Sequence, residues 1–116
     1  MAGTLTISTL SDGTNSSSVT DVVKGSARAW ASFNGQTVSL RKSYNVSSIV
    51  DNGVGDYTIN FITPIVDDQY IAVYGANGGT VGYAGSWAQS ATSLRIWGSF
   101  GSSFNDIIYG NVAVFR

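Results

Sequence analysis

Apolar and polar residues alternate along this chain in short runs separated by clusters of Gly, Asn, Asp and Ser, a period-2 pattern that predicts strands throughout. The first run, Thr4 to Leu10, puts Leu5 and Ile7 on one face and Thr4, Thr6 and Ser8 on the other. Ser11 to Ser18 reads as an exposed loop, and Val19 to Val23 as a short apolar piece. The clearest hairpin comes next. Ala27, Ala29, Ala31 and Phe33 alternate with Arg28, Trp30 and Ser32, and Asn34-Gly35 supplies the residues of a type I′ turn. On the returning strand Val38, Leu40, Tyr44 and Val46 share an apolar face opposite Thr37, Ser39, Arg41 and Ser43. Lys42 falls on that apolar face, which calls for a bulge or a strand end.

Tyr57, Ile59 and Phe61 form a clean stripe after the Asp51–Asp56 loop, and Pro64 closes that hairpin. Gln69 to Gly75 is apolar on both parities, which predicts a central or subunit-facing strand. A weak strand at Val81 to Ala84 follows. In the next, Leu94, Ile96 and Phe100 lie opposite Arg95 and Trp97, and the last runs from Ile107 to Phe115. Seven to eight short strands without helix predict an all-β fold, a single antiparallel β-sandwich or jelly-roll-like domain over residues 25–116. Residues 1–24 read as an extended N-terminal arm. Its Leu5, Ile7, Leu10, Val22 and Val23 are the candidate anchoring residues, suited to adding a strand to a neighbour's sheet edge.

Composition narrows the chemistry. The 116 residues are 43% hydrophobic and 11% charged, carry a net charge of −1, and include no Cys, His or Glu. Zinc sites, thiol chemistry and Ser-His-Asp triads therefore cannot be built within one chain. Six scattered basic residues make no phosphate-binding cluster, so nucleic acid is not an expected partner. No apolar run is long enough for a membrane-spanning helix, so no membrane insertion is expected. The N-terminus lacks the basic and apolar regions of a cleaved secretory signal. Asp, Lys and Tyr are the remaining acid–base candidates, and none pairs convincingly, so no enzyme activity, catalytic residue or cofactor is expected.

Asp51 to Asp56 offers oxygen ligands to calcium, but the EF-hand spacing and its closing Glu are absent, and a Gly-rich hairpin explains the same residues. Asp67-Asp68 reads as a turn, because adjacent residues on an extended chain point to opposite faces. The aromatics are more informative. Tyr83, Trp87 and Trp97, together with Asn77, are the candidate contacts to a glycan or a partner. The competing reading buries aromatics in the core or an interface. That reading is favoured for Trp97 and Phe100, which lie in a strand, whereas Trp87 in a Ser/Gly/Gln loop is open to either. Arg28, Arg41 and Arg95 read as rim or inter-subunit charges.

The run Gly25-Ser26-Ala27-Arg28-Ala29-Trp30-Ala31-Ser32-Phe33-Asn34-Gly35, followed by Ser43 to Phe61 with its Asn45-Val46-Ser47-Ser48 and Asp51-Asn52-Gly53-Val54-Gly55-Asp56-Tyr57 segments, resembles a family of bacteriophage virion modules, tail-fibre and other structural proteins. Ala31 and Ser32 stand where that pattern usually has Val and Asn. The similarity is specific over residues 25–61 and faint beyond about residue 70. It implies a non-enzymatic, all-β, homotrimeric virion component on the outer surface of the phage particle, partnered by itself and by other virion proteins.

Two placements follow within that class. The tail-fibre label of the family points to viral attachment, whereas the start at Met1 and the lack of a shaft point to a capsid-decorating cement protein. The alternative is a host-surface carbohydrate-binding, receptor-binding module. The low charge agrees with a chain that hides surface in an oligomer, because few charges guard its strand edges.

Overall fold

A computed structural model describes residues 3–77, 83–100 and 102–116. The protein is an all-β sandwich. One sheet contains β3 (Ala29–Asn34), β4 (Ser39–Tyr44), β7 (Ile71–Asn77) and β11 (Tyr109–Phe115), in the order β4-β3-β11-β7. The other contains β5 (Val46–Gly53), β6 (Asp56–Phe61), β8 (Tyr83–Gln89) and β9 (Ser93–Phe100), in the order β5-β6-β9-β8. The two-residue β10 (Ser103–Phe104) pairs with the end of β9 beyond the reach of β6. All these pairings are antiparallel.

The core is built by the predicted stripes. Ala29, Ala31 and Phe33 of β3 and Val112 and Val114 of β11 face Tyr57, Ile59 and Phe61 of β6 and Leu94 and Ile96 of β9. Ile65, Tyr70 and Ile107 fill the ends from the connecting segments. Buried Tyr70 and half-buried Tyr74 also tie β9 to the opposite side. The Tyr74 hydroxyl donates to the Trp97 carbonyl at 3.2 Å, and the Tyr70 hydroxyl to the Ser93 carbonyl at 3.0 Å. Burial pushes the Tyr70 phenol up to about 12 and raises that of Tyr74 as well.

Glycine makes room for the largest rings. A Cβ on Gly110 would lie 2.5 Å from Cε1 of Phe33, and one on Gly35 would lie 2.7 Å from the Ile107 carbonyl oxygen, with the Tyr57 hydroxyl closer still. Tyr57 is fully buried, yet its hydroxyl is satisfied. It donates to Asp106 Oδ1 at 2.9 Å and accepts from the Ile107 N–H at 3.2 Å, while burial raises its pKa.

Several local expectations are corrected. The β3–β4 link is not a two-residue turn but Gly35–Val38, because Asn34 Oδ1 accepts the N–H groups of both Gln36 and Thr37 and holds a wider loop. The register of β4 then shifts at Arg41, so Leu40 opposes Phe33 while Lys42 opposes Ser32 and Tyr44 opposes Trp30. That bulge releases Lys42 from the apolar face, and it also turns Tyr44 outward. The Asp51–Asp56 loop contracts to the turn Val54-Gly55, since β5 and β6 pair as far as Gly53 and Asp56. The Gln69–Gly75 segment shifts to Ile71–Asn77 and is a sheet edge, not a central strand.

The N-terminal segment also differs. Asp12 Oδ1 accepts the N–H groups of Thr14 and Asn15, closing a turn that pairs β1 (Thr9–Ser11) with β2 (Ser16–Ser18). Only the last two residues of the predicted Thr4–Leu10 strand are in β1, and of the expected Ser11–Ser18 loop Asp12–Asn15 form the exposed turn while Ser16–Ser18 are β2. Val19–Gly25 forms α1, the one helix among the described residues. Ser18 caps it: its Oγ accepts the Asp21 N–H at 3.1 Å and donates to the Asp21 carboxylate at 2.7 Å.

Candidate functional site

The sandwich presents two outer faces of opposite character. On the four-stranded sheet, one register row crosses every strand, from Tyr44 through Trp30 and Ala113 to Val73, and Phe115 pairs with Ile71 beside it. Because the core takes the alternate residues, these point to solvent. Ile71 is 68% exposed, Val73 57%, Tyr44 56% and Trp30 41%. No intramolecular element covers this row among the described residues. The segment before β3 is equally bare: Leu5, Ile7, Leu10, Val22 and Val23 are all exposed, and α1 has no buried residue. The anchoring residues singled out in the sequence are thus spread over an irregular stretch, a strand and a helix, rather than one added strand.

The outer face of the five-stranded sheet is polar and ordered by hydrogen bonds. Arg95 grips Asp56 with two, Nε to Oδ1 at 2.9 Å and Nη2 to Oδ2 at 2.6 Å. Asn52 Nδ2 donates to Thr58 Oγ1 at 2.7 Å and to Asp56 Oδ1 at 3.4 Å. The guanidinium above all, with help from Asn52, holds the Asp56 carboxyl below the usual carboxylate range. Asp56 is therefore committed to an ion pair in a hairpin, and no group of metal-ligating side chains occurs among the described residues.

Trp97 stands directly opposite Asp56 on this same face. Its indole lies across Gly85, where a Cβ would come within 3.0 Å of Cζ2, and its ring centroid is 6.3 Å from that of Phe104, itself 47% exposed. Trp97 thus belongs to the outer face and not to the core, which removes the core half of its packing reading and keeps the interface half. The backbone of Trp87 is in β8, not in a loop. The side chains of Asn77, Tyr83, Trp87 and Phe100 lie outside the described residues.

The arginines stay at the surface and bond groups of their own chain. Arg41 donates to the carbonyls of Phe33 and Ile108 and lies 4.6 Å over the Tyr109 ring. Arg28 reaches the Arg116 carbonyl, and Arg116 pairs with Asp67 at 2.7 Å, which draws the Asp67 carboxyl down to about 2. Asp67 Oδ1 also accepts the Gln69 N–H, the turn role expected of it.

Sequence reasoning overlooked Asn45. It sits at φ +56 between β4 and β5, and its side chain bonds the backbone of Arg28 and Thr63. A groove of 670 Å³ opens beside it, lined by Tyr44, Ile62, Pro64 and Val66 among others. The one signal for it in the sequence is the residue type, since Asn tolerates the left-handed region better than most residues.

No family model, curated protein or solved structure matches the chain.

Proposed function

We propose that this is a non-enzymatic bacteriophage virion structural protein, a homotrimeric β-module on the outer surface of the particle, as a tail-fibre-like or capsid-decorating (cement) component. The observation that carries the self-associating part is the uncovered row Tyr44–Trp30–Ala113–Val73, found in the same chain as an uncovered apolar arm. Contiguous exposed apolar surface of this kind serves contact with another macromolecule. The phage assignment draws on the similarity of residues 25–61 to virion modules. Tagging the protein in intact particles and imaging the tag tests it. Signal on heads supports the cement role and signal on tails the fibre role, whereas absence from purified particles overturns both.

The second reading, a carbohydrate-binding module for the host surface, is favoured by one feature. Trp97 and Phe104 offer aromatic surface beside Arg95, Asn52 and Thr58 on one sheet face. The two readings are compatible, because they use opposite faces of the sandwich.

A further inference from the structure

We infer that the N-terminal arm of one copy seats on the outer face of the four-stranded sheet of a second copy, against Ile71 and Val73 of its β7 edge. This rests on the proposed self-association but not on a place in a virion. The first argument is area. The chain exposes 7088 Å², whereas a compact monomer of 12.2 kDa exposes roughly 6,000 Å². The surplus, about 1,000 Å², is the size of one partner's share of a standard interface, about 800 Å². The radius of gyration says the same, at 16.6 Å against the roughly 13 Å of a compact chain this long.

The second argument is where the bare surface lies. Among the described residues the core takes none before Ala29, so the arm from Gly3 on adds nothing to its own domain's interior while presenting Leu5, Ile7 and Leu10 to solvent. The receiving side has matching chemistry. β7, Ile71-Ala72-Val73-Tyr74-Gly75-Ala76-Asn77, is an edge strand among the described residues, with no charge, no proline and no register shift, so the strand itself carries none of the sequence guards against a further chain. Ile71 and Val73 continue the apolar row across the sheet from that edge.

Arm and sheet face are different surfaces, so each copy gives one contact and receives another. Such a head-to-tail contact closes into a ring when the rotation allows, and the proposed trimer is a ring of three such contacts.

Full-length variants test this by complementation. An arm variant (L5D with I7D) and a face variant (I71D with V73D) are each expected to be monomeric by light scattering at micromolar concentration, with the thermal midpoint of the domain retained. Mixed, they are expected to form a one-to-one heterodimer, because the arm variant keeps an intact face and the face variant an intact arm. If the face variant unfolds, I71T with V73T replaces it. A mixture that stays monomeric overturns the inference, as does either variant that assembles like the parent, which points to face-to-face or arm-to-arm packing. A parent chain that is monomeric overturns the self-association itself. Particle labelling then still judges the virion assignment, so the two failures are distinguishable.

Discussion

Asn45 and Thr63 clasp one another through two hydrogen bonds: Asn45 Nδ2 donates to the Thr63 carbonyl at 3.0 Å, and Asn45 Oδ1 accepts the Thr63 N–H at 2.7 Å. The same Nδ2 also donates to the Arg28 carbonyl at 3.0 Å, so one amide joins the start of β3, the β4–β5 crossover and the segment after β6. This is the corner where the chain leaves one sheet for the other.

Asn45→Ala should therefore be among the costlier polar substitutions in the domain. Three lost bonds cost about 1 kcal/mol each, and an alanine forced to positive φ adds roughly 1 kcal/mol more. Asn45→Gly removes the bonds but accepts the backbone angle. Thermal unfolding should place Ala lowest, Gly between, and the parent highest. Equal midpoints for Ala and parent would show that the clasp contributes nothing.

The close approach of Gly110 to Phe33 gives a second expectation. Phe33 is fully buried, and its ring occupies the space of the missing Cβ. Gly110→Ala has to push that ring into Ala29, Ala31 or Tyr57, with which it shares the core. Overpacking of this kind costs about 1–3 kcal/mol. The double variant G110A/F33L removes the clash and should recover part of the loss in a denaturant titration. No recovery would place the cost in the backbone of β11 instead.

How much of this was legible in sequence depended on how local the deciding interaction is. The stripe Tyr57, Ile59, Phe61 and the opposition of Leu94 and Ile96 to Arg95 and Trp97 follow from period-2 alternation alone, and each is found on the expected side. Tyr44 departs from its expected face because one inserted residue, Arg41, inverts every parity after it, and a bulge of this kind, here with its guanidinium on the Phe33 and Ile108 carbonyls, leaves no mark in the alternation. Helix α1 was missed because its signal, Ser18 followed by Asp21, is buried in a serine run that composition assigns to a loop. The candidate contact surfaces were legible only as residue types. Which face Trp97 shares with Asp56 and Arg95, and that Trp30 joins Tyr44 and Val73 in one row, are properties of pairing between strands far apart in the chain.

The Asp56–Arg95 pair makes stability depend on pH in a defined direction. The carboxyl titrates lower in the folded protein than in the unfolded chain, where about 3.9 is usual. Its contribution is therefore present above about pH 4 and is lost as pH falls through the folded value. Asp67, drawn down by Arg116, acts in the same direction, but it is exposed and so more strongly screened. Asp56→Asn should cost about 2 kcal/mol near neutral pH, and the gap from the parent should narrow as pH falls through the lowered folded-state range of the carboxyl. A gap that is constant from pH 7 to pH 2 would mean that the pair's charge is irrelevant and only its packing counts.

Trp97 separates the carbohydrate reading from a purely structural one. Its indole packs on Gly85 and Phe104 on the outer face, away from the core that holds the two sheets together. Trp97→Ala should consequently lower the thermal midpoint less than a core change such as Ile96→Ala. If the face binds saccharide, the same change removes the flat apolar surface on which a sugar ring would rest, and affinity on a glycan array should fall at least tenfold, about 1.4 kcal/mol. Phe104→Ala should show a smaller loss in the same direction, because that ring supplies the flank. A change on the opposite face, Val73→Asp, should leave glycan affinity per chain unaltered, since β7 and the Trp97 surface lie on different sides of the sandwich. Full retention of host adsorption and of array binding by Trp97→Ala would remove Trp97 as a contact. A large fall in its thermal midpoint would instead assign the indole to the stability of the β8–β9 pairing.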